Sequence, residues 1–184
     1  MKMIIIRNAT IEDASLIAKT VGMAIGEDVI FYCGKNWIDV LTEVAQLEQS
    51  QYSFRNALIA EVDGEVAGAI IGYNGGNLEL LRCATLNIIS RYVDKIRITE
   101  DETEAGEFYI DTVAVLPTFR GQGIGHRLLD AICEKAFVEG YDKVGLIVDF
   151  ENQEAERLYM SLGFCRIKTR TFLGHKMWHL QKKR

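Results

Sequence analysis

Phe119-Arg120-Gly121-Gln122-Gly123-Ile124-Gly125 is a glycine turn set between two different periodicities. Ahead of it, Phe108–Val115 reads as a buried strand closed by Pro117, the one proline of the chain. Behind it, Ile124, Leu128, Ile132 and Ala136 carry a helix to Glu139-Gly140, with Gly140 placed for the left-handed end of that helix. A strand, a glycine turn and a helix make an anion site by elementary physics. The first helical N–H groups have no partner inside the helix, the dipole puts partial positive charge there, and glycine lets backbone approach a ligand without a Cβ in the way. Phosphate or pyrophosphate is the natural guest. Two common templates fail on the letters. A P-loop needs Lys then Ser or Thr after its last glycine, where this chain has His126-Arg127. A dinucleotide G-x-G-x-x-G read from Gly121 needs glycine where His126 stands, and Asp142, about 20 residues on, precedes the next strand instead of ending it. His126 itself reads as a first-turn surface histidine.

Working outward, the chain alternates strands and helices. Residues 3–7 form a β-branched run, and Thr10-Ile-Glu-Asp13 makes a capping box for a helix carrying Ala14, Ile17, Val21 and Ala24. That helix is expected to end near Glu27 and Asp28. Asn36 precedes a second helix with Trp37, Leu41, Val44 and Leu47. Ala57–Val62 and residues 66–73 flank Asp63-Gly64, a strong hairpin signal. After Asn74-Gly75-Gly76-Asn77, the spacing of Leu78, Leu81, Thr85, Ile88, Tyr92 and Ile96 predicts an inserted helix over about 77–98. Beyond the glycine turn come a strand at 143–148, a helix at 152–162 ending at Gly163, and a strand pair at 164–170 and 175–180. The order is mixed α/β in one domain over 1–184, with no internal repeat.

Composition narrows the class further. The 184 residues are 48% hydrophobic and 26% charged, the balance of an ordinary globular domain. No apolar run approaches the length of a membrane span, and the N-terminus lacks the apolar stretch of a secretory signal. A cytoplasmic chain without membrane partner is expected. Cys33, Cys83, Cys133 and Cys165 stand singly, without a C-x-x-C, and read as reduced, buried, small apolar residues. His175 and His179 lack an H-E-x-x-H frame, so no metal is expected.

The formal charge of −5 hides a division. No Asp or Glu follows Glu156, while eight Lys and Arg do, leaving 13 of the 21 basic residues against all 26 acidic ones in positions 1–156. The basic end lacks interleaved aromatic residues, and nucleic acid is not an expected partner. The stretch 100–107 holds five acidic residues in eight positions and reads either as a solvated loop or as a negative mouth that attracts a cationic amine.

What does fit the turn is Arg120-x-x-Gly123-x-Gly125, and here a family resemblance becomes specific. It resembles the acetyl-CoA motif Arg/Gln-x-x-Gly-x-Gly/Ala of the Gcn5-related N-acetyltransferase (GNAT) superfamily. Tyr109-Ile-Asp-Thr-Val-Ala-Val115 is similar to that family's preceding strand, and Ala155-Glu-Arg-Leu-Tyr159-Met-Ser-Leu-Gly163-Phe164 to its following motif. Asn152 falls where the family commonly has asparagine. These matches cover roughly 105–166, in the right order.

The resemblance implies a mostly antiparallel sheet of six or seven strands flanked by helices, with two splayed parallel strands holding acetyl-CoA. It implies that the backbone of Val113, Ala114 and Val115 binds the pantetheine amides and thioester. Gly121, Gln122, Gly123, Ile124 and Gly125 would offer N–H groups to the pyrophosphate, with Arg120 as a nearby cation, and Asn152 and Tyr159 would lie across the sulfur end. Transfer in this family passes directly from CoA to an amine, so no enzyme nucleophile is needed. Tyr159 matches the usual general acid. For the base, strand alternation puts Tyr109, Asp111, Val113 and Val115 on one face, making Asp111 the first choice and Glu107 the second. A cationic amine of a small molecule, peptide or protein is the expected acceptor. The 77–98 insertion offers either a lid over it or a homodimer face. A non-catalytic acyl-CoA-binding regulatory module is the alternative, keeping the turn without needing Tyr159 or a carboxylate at 111.

Overall fold

In the computed structural model, which describes residues 3–184, the Thr10 box forms as its spacing predicts. Asp13 Oδ2 accepts the Thr10 backbone N–H at 2.8 Å, and helix α1 (Ala14–Ile25) follows a single 3-10 turn. Strand β1 (Ile4–Asn8) is tied in by Arg7, whose guanidinium donates to both Asp13 oxygens at 2.7 and 2.9 Å and to Glu61 at 2.7 Å. Met1 and Lys2, the start of the stretch read for a targeting signal, lie outside the described residues. Among the described residues no helix is long and apolar enough to cross a membrane.

Gly26 leaves α1 at φ 73°, a left-handed conformation that stops the helix and favours glycine. Glu27 and Asp28 therefore do not end the first helix. They start a short second one, α2 (Asp28–Cys33), which periodicity did not show. Helix α3 (Trp37–Gln46), hairpin strands β2 (Ala57–Val62) and β3 (Glu65–Asn74), and helix α4 (Leu78–Ile89) follow. Helix α4 stops nine residues short of the expected 98. Val93 and Ile96 are apolar because they pack against the α1/α3 core in irregular chain. Their spacing imitates a continuing helix.

Strand β4 (Phe108–Val115), helix α5 (Ile124–Val138), strand β5 (Lys143–Asp149), helix α6 (Gln153–Ser161) and strands β6 (Cys165–Phe172) and β7 (His175–Lys183) complete the chain. The seven strands form one sheet in the order β1-β2-β3-β4-β5-β7-β6. Every neighbouring pair is antiparallel except β4 and β5. Helix α5 covers one face, burying Leu128, Leu129 and Ile132 against Ile70, Ile110 and Leu146. Helices α1 and α3 cover the other, where Ile17, Val21 and Leu41 meet Ile59 and Ile71. Each such side chain contributes about 1.5–3 kcal/mol on burial, so two-sided coverage fixes the central strands rigidly. A third cluster, Tyr73, Tyr109, Leu78 and Leu81, seats α4 beside β3 and β4. Of the apolar residues expected to serve a lid or dimer face, Leu78, Leu81, Ile88 and Ile89 are buried inward and Leu80 is exposed.

Two of the four cysteines depart from expectation. Cys33 and Cys133 are buried, whereas Cys83 and Cys165 are exposed.

Candidate active site

Strands β4 and β5 pair only at Phe108 with Val144 and at Tyr109 with Gly145. Both continue beyond that point without pairing, and a cavity of about 660 Å³ lies between them, lined by residues 109–115 of β4 and 146–149 of β5. Unpaired strand edges present N–H and C=O groups to whatever enters, so an extended amide-bearing chain can add itself there. Val113, Ala114 and Val115 are on this open stretch.

Arg120 lines the same cavity, anchored by its Nε to the Val115 carbonyl at 3.2 Å. Gly121 and Gly123 have φ of 73° and 74°, and a Cβ at either would meet nothing within 4 Å. Glycine is required there by backbone conformation, not packing. Gly123 caps α5, whose first turn runs through Ile124 and Gly125. Ile124 buries its side chain in the core and so can offer only backbone outward. Gln122 completes the turn.

Asp111 occupies a β-bulge. Ile71 pairs with Thr112 and Gly72 with Ile110, so Asp111 has no partner on β3. The extra residue reverses the alternation. Phe108 and Ile110, then Val113 and Val115, pack toward α5, while Tyr109 turns to the opposite side with Tyr73 and α4. Strict alternation had put Asp111, Val113 and Val115 on one face; the bulge overturns that. It aims Asp111 toward Tyr73, whose hydroxyl donates to Asp111 Oδ2 at 2.7 Å, while Thr112 Oγ1 donates to Oδ1 at 3.0 Å.

A second carboxyl shares this region. Glu102 is buried, and its Oε1 accepts from Gln51 Nε2 at 3.3 Å; the same nitrogen lies 3.5 Å from the Tyr73 hydroxyl. Gln51 thus links Glu102 to the Tyr73–Asp111 pair. Burial pushes Glu102 up, the Asp111 charge adds to this, and Arg82 at 3.6 Å offsets only part, leaving Glu102 at about 8. Asp111 is also raised, by burial, against the lowering bonds from Tyr73 and Thr112. Residues 100–107 are therefore no solvated loop. Glu102, Thr103 and Glu107 are buried, and Glu104 is bound by Lys168 and Arg170 of β6 at 2.5 and 3.1 Å.

Glu107, expected as the second choice of base, stands outside the cavity. Its Oε2 is met by Gln181 Nε2 at 2.7 Å and His179 Nε2 at 2.9 Å, and its Oε1 accepts from Thr103 Oγ1 at 3.0 Å and the Glu104 N–H at 3.2 Å. Arg170 Nε donates to His179 Nδ1 at 3.0 Å, so the ring proton is assigned to Nε2, facing Glu107. Burial pushes Glu107 up, but these donors, His179 foremost, hold it below the usual carboxylate range. With its lone pairs taken, it ties the start of β4 to β7. Glu104, Glu107 and His179 bring their ligand atoms within 4.8 Å of one another, and Lys168, Arg170 and Lys143 pair with Glu104.

Tyr159 of α6 lines the cavity, and burial raises its phenol to about 12. Its ring touches Phe164 edge-on, and its hydroxyl bonds no protein atom among the described residues. Asn152 lines the cavity too. Its Oδ1 caps α6 by accepting the Ala155 N–H at 3.1 Å, which leaves the side-chain amide donors.

One cavity thus joins an open strand edge, the Arg120 guanidinium ahead of the glycine turn, a free phenol and two protonatable carboxyls. The sequence model of the Acetyltransferase (GNAT) family matches residues 29–164. The chain belongs to that family. Its fold agrees over nearly the whole length with solved acetyltransferase structures. One described as an acetyltransferase is 34% identical with TM-score 0.83, covering 97% of this chain and 98% of that one. An N-acetyltransferase from Staphylococcus aureus Mu50 is 28% identical with TM-score 0.82, covering 96% and 99%. Among curated proteins, an uncharacterized protein of Mycobacterium leprae is 32% identical over 127 residues, 68% of this chain and 32% of its own length. The N-alpha-acetyltransferase 30 of Saccharomyces cerevisiae is 38% identical over 60 residues, 33% of this chain and 34% of its own. This GNAT chain therefore spans about a third of the length of these curated relatives.

Sequence reasoning missed Glu102, Gln51, Tyr73 and Arg82. Glu102 looked like any other member of an acidic run, and only the fold shows which of those carboxyls turns inward.

Proposed function

We propose that this GNAT protein transfers an acetyl group from acetyl-CoA directly to an amine. The observation that carries the reading is the single cavity running from the open β4 edge beside Arg120 to Asp111, Glu102 and Tyr159. The residues fit the donor. The β4 edge takes the pantetheine amides, and the start of α5 with Arg120 takes the pyrophosphate. The four free cysteines support a cytoplasmic setting, since an oxidising compartment favours disulfides.

The amine arrives as an ammonium ion and gives one proton to Asp111. Its lone pair attacks the thioester carbonyl carbon, whose oxygen takes the developing charge beside the unpaired β4 backbone. The carbon–sulfur bond then breaks, the nitrogen loses its second proton, and the sulfur leaves as a thiol. Tyr159 donates a hydrogen bond to that sulfur. Full proton release from a phenol at about 12 to a thiolate of ordinary value near 8.5 is uphill by roughly 5 kcal/mol. Tyr159 therefore stabilises the departing sulfur as an O–H donor, and the proton that stays on it comes from the acceptor nitrogen.

Native mass spectrometry with acetyl-CoA, followed by thiol release over a panel of amines, tests the proposal. Bound donor with amine-dependent thiol release is expected. Bound donor with no transfer would favour a regulatory acyl-CoA-binding module, and no binding would remove the reading altogether.

A further inference from the structure

Residues 90–102, between α4 and β4, cross the acceptor side of the cavity as a strap tied at both ends. At one end, Arg97 Nη1 donates to the Phe31 carbonyl of α2 at 3.1 Å, and its guanidinium lies 3.8 Å from the Phe31 ring centroid. At the other, Glu100 Oε2 accepts the Leu173 backbone N–H, 3.1 Å away in the turn between β6 and β7. Arg82 of α4 reinforces this second tie, donating to the Glu100 carbonyl at 3.1 Å and to Asp101 at 2.7 Å, and Arg170 of β6 donates to the Asp101 carbonyl at 3.1 Å. The strap joins α2, α4 and the β6–β7 hairpin, and all three line the cavity together with Arg97, Thr99 and Glu102 of the strap itself.

A peptide or protein loop needs a groove open along its length, whereas here a covalent segment bridges the two banks. Space argues the same way. The whole cavity is about 660 Å³, inside the range of about 300–1,000 Å³ of small-molecule sites, and it must hold the acyl end of the donor as well. Its chemistry is two-sided. Asp28, Glu102 and Asp111 line it, while the two guanidiniums on this side, Arg82 and Arg97, already serve the strap. Arg82 also lies 3.6 Å from Glu102, so Asp28 and Asp111 face an incoming ammonium while Glu102 offers it a hydrogen bond. The walls around them are apolar, with Met23, Ile25, Leu86 and Ile89.

We infer that the acceptor is a small free amine with an apolar body, taken whole into this strapped chamber, and not the α-amine or lysine of a protein chain. The inference rests on the acetyl-transfer reading above. Hydrophobic walls reward a body that fills them, and the carboxyls at 102 and 111 orient its nitrogen toward the thioester.

The test compares 2-phenylethylamine and n-hexylamine with two hexapeptides, one with a free α-amine and one N-blocked with a single lysine. Donor binding is measured first, by native mass spectrometry on the full chain; its absence would overturn the transfer reading rather than this choice of acceptor. With donor bound, kcat/KM for a small amine is expected to exceed that for either peptide by at least about tenfold, the scale on which a shaped apolar pocket discriminates. Peptide turnover equal to or above that of the amines, or no transfer to either amine, overturns the inference. Untying the strap by Arg97→Ala with Glu100→Ala is expected to narrow the ratio by about tenfold while acetyl-CoA remains bound. Arg97→Lys, which keeps the charge but loses the planar stack, gives a milder narrowing. An unchanged ratio in a donor-binding double variant shows that the strap does not select the acceptor and overturns the inference.

Discussion

Asp111 shows how one inserted residue sets the chemistry. A carboxylate in the apolar run Tyr109-Ile-Asp-Thr-Val-Ala-Val115 is costly unless partnered, and the bulge supplies partners by turning it to Tyr73 and the chamber. The base role proposed for it requires the ionised form, so kcat/KM is expected to rise with pH through a value raised above that of an ordinary Asp. Asp111→Asn is expected to lower kcat/KM by about 10²-fold and to abolish that acidic limb. A pH–rate profile checks this, and an unaltered limb removes Asp111 as the base. Tyr159→Phe is expected to lower kcat by about 10²-fold while sparing acetyl-CoA affinity, since only the hydroxyl at the departing sulfur is lost. Glu102 bears on stability. Between the ordinary carboxylate value and about 8, the folded chain keeps a proton that the unfolded chain releases, so stability falls as pH rises across that window. Glu102→Gln, which retains a neutral side chain, should flatten the dependence of Tm on pH there.

At the scale of elements, legibility followed local cause. The strand Phe108–Val115, the hairpin around Asp63-Gly64 and the helix after the glycine turn were readable because turn chemistry and periodicity mark them within a few residues. Helix α2 was hidden by its six-residue length, and the end of α4 by Ile96, whose burial comes from tertiary contact. The bulge at Asp111 was hidden too, since nothing in a single strand's letters tells that its neighbour is one residue short. The glycine turn was legible down to the residue, and Gly123 gives it a measurable consequence. With φ at 74° and open space around it, Gly123→Ala costs backbone strain alone, about 1–2 kcal/mol. A Tm lower by a few degrees with weaker acetyl-CoA binding is expected; a Tm at or above that of the parent protein would show that the turn tolerates a side chain.

For the whole molecule, folding offsets part of the division of charge along the chain. Lys168 and Arg170 of β6 bind Glu104, and Arg166 binds Glu156, so the basic C-terminal strands neutralise acidic residues from elsewhere in the chain. The cavity is crossed by a strap that guanidiniums from other elements hold in place. Family membership was legible because the family's motif lies in one contiguous stretch. The acceptor site was not, because its residues come from α1, α2, α4, the strap, β4 and the β6–β7 turn, and only the sheet order brings them together. In the proposed reaction this cavity moves an acetyl group from CoA to an amine. Mass analysis of the purified protein with acetyl-CoA and 2-phenylethylamine tests it directly. N-acetylated amine and free CoA in equal amounts are predicted, whereas bound but intact acetyl-CoA, or thiol released without acetylated amine, would contradict it.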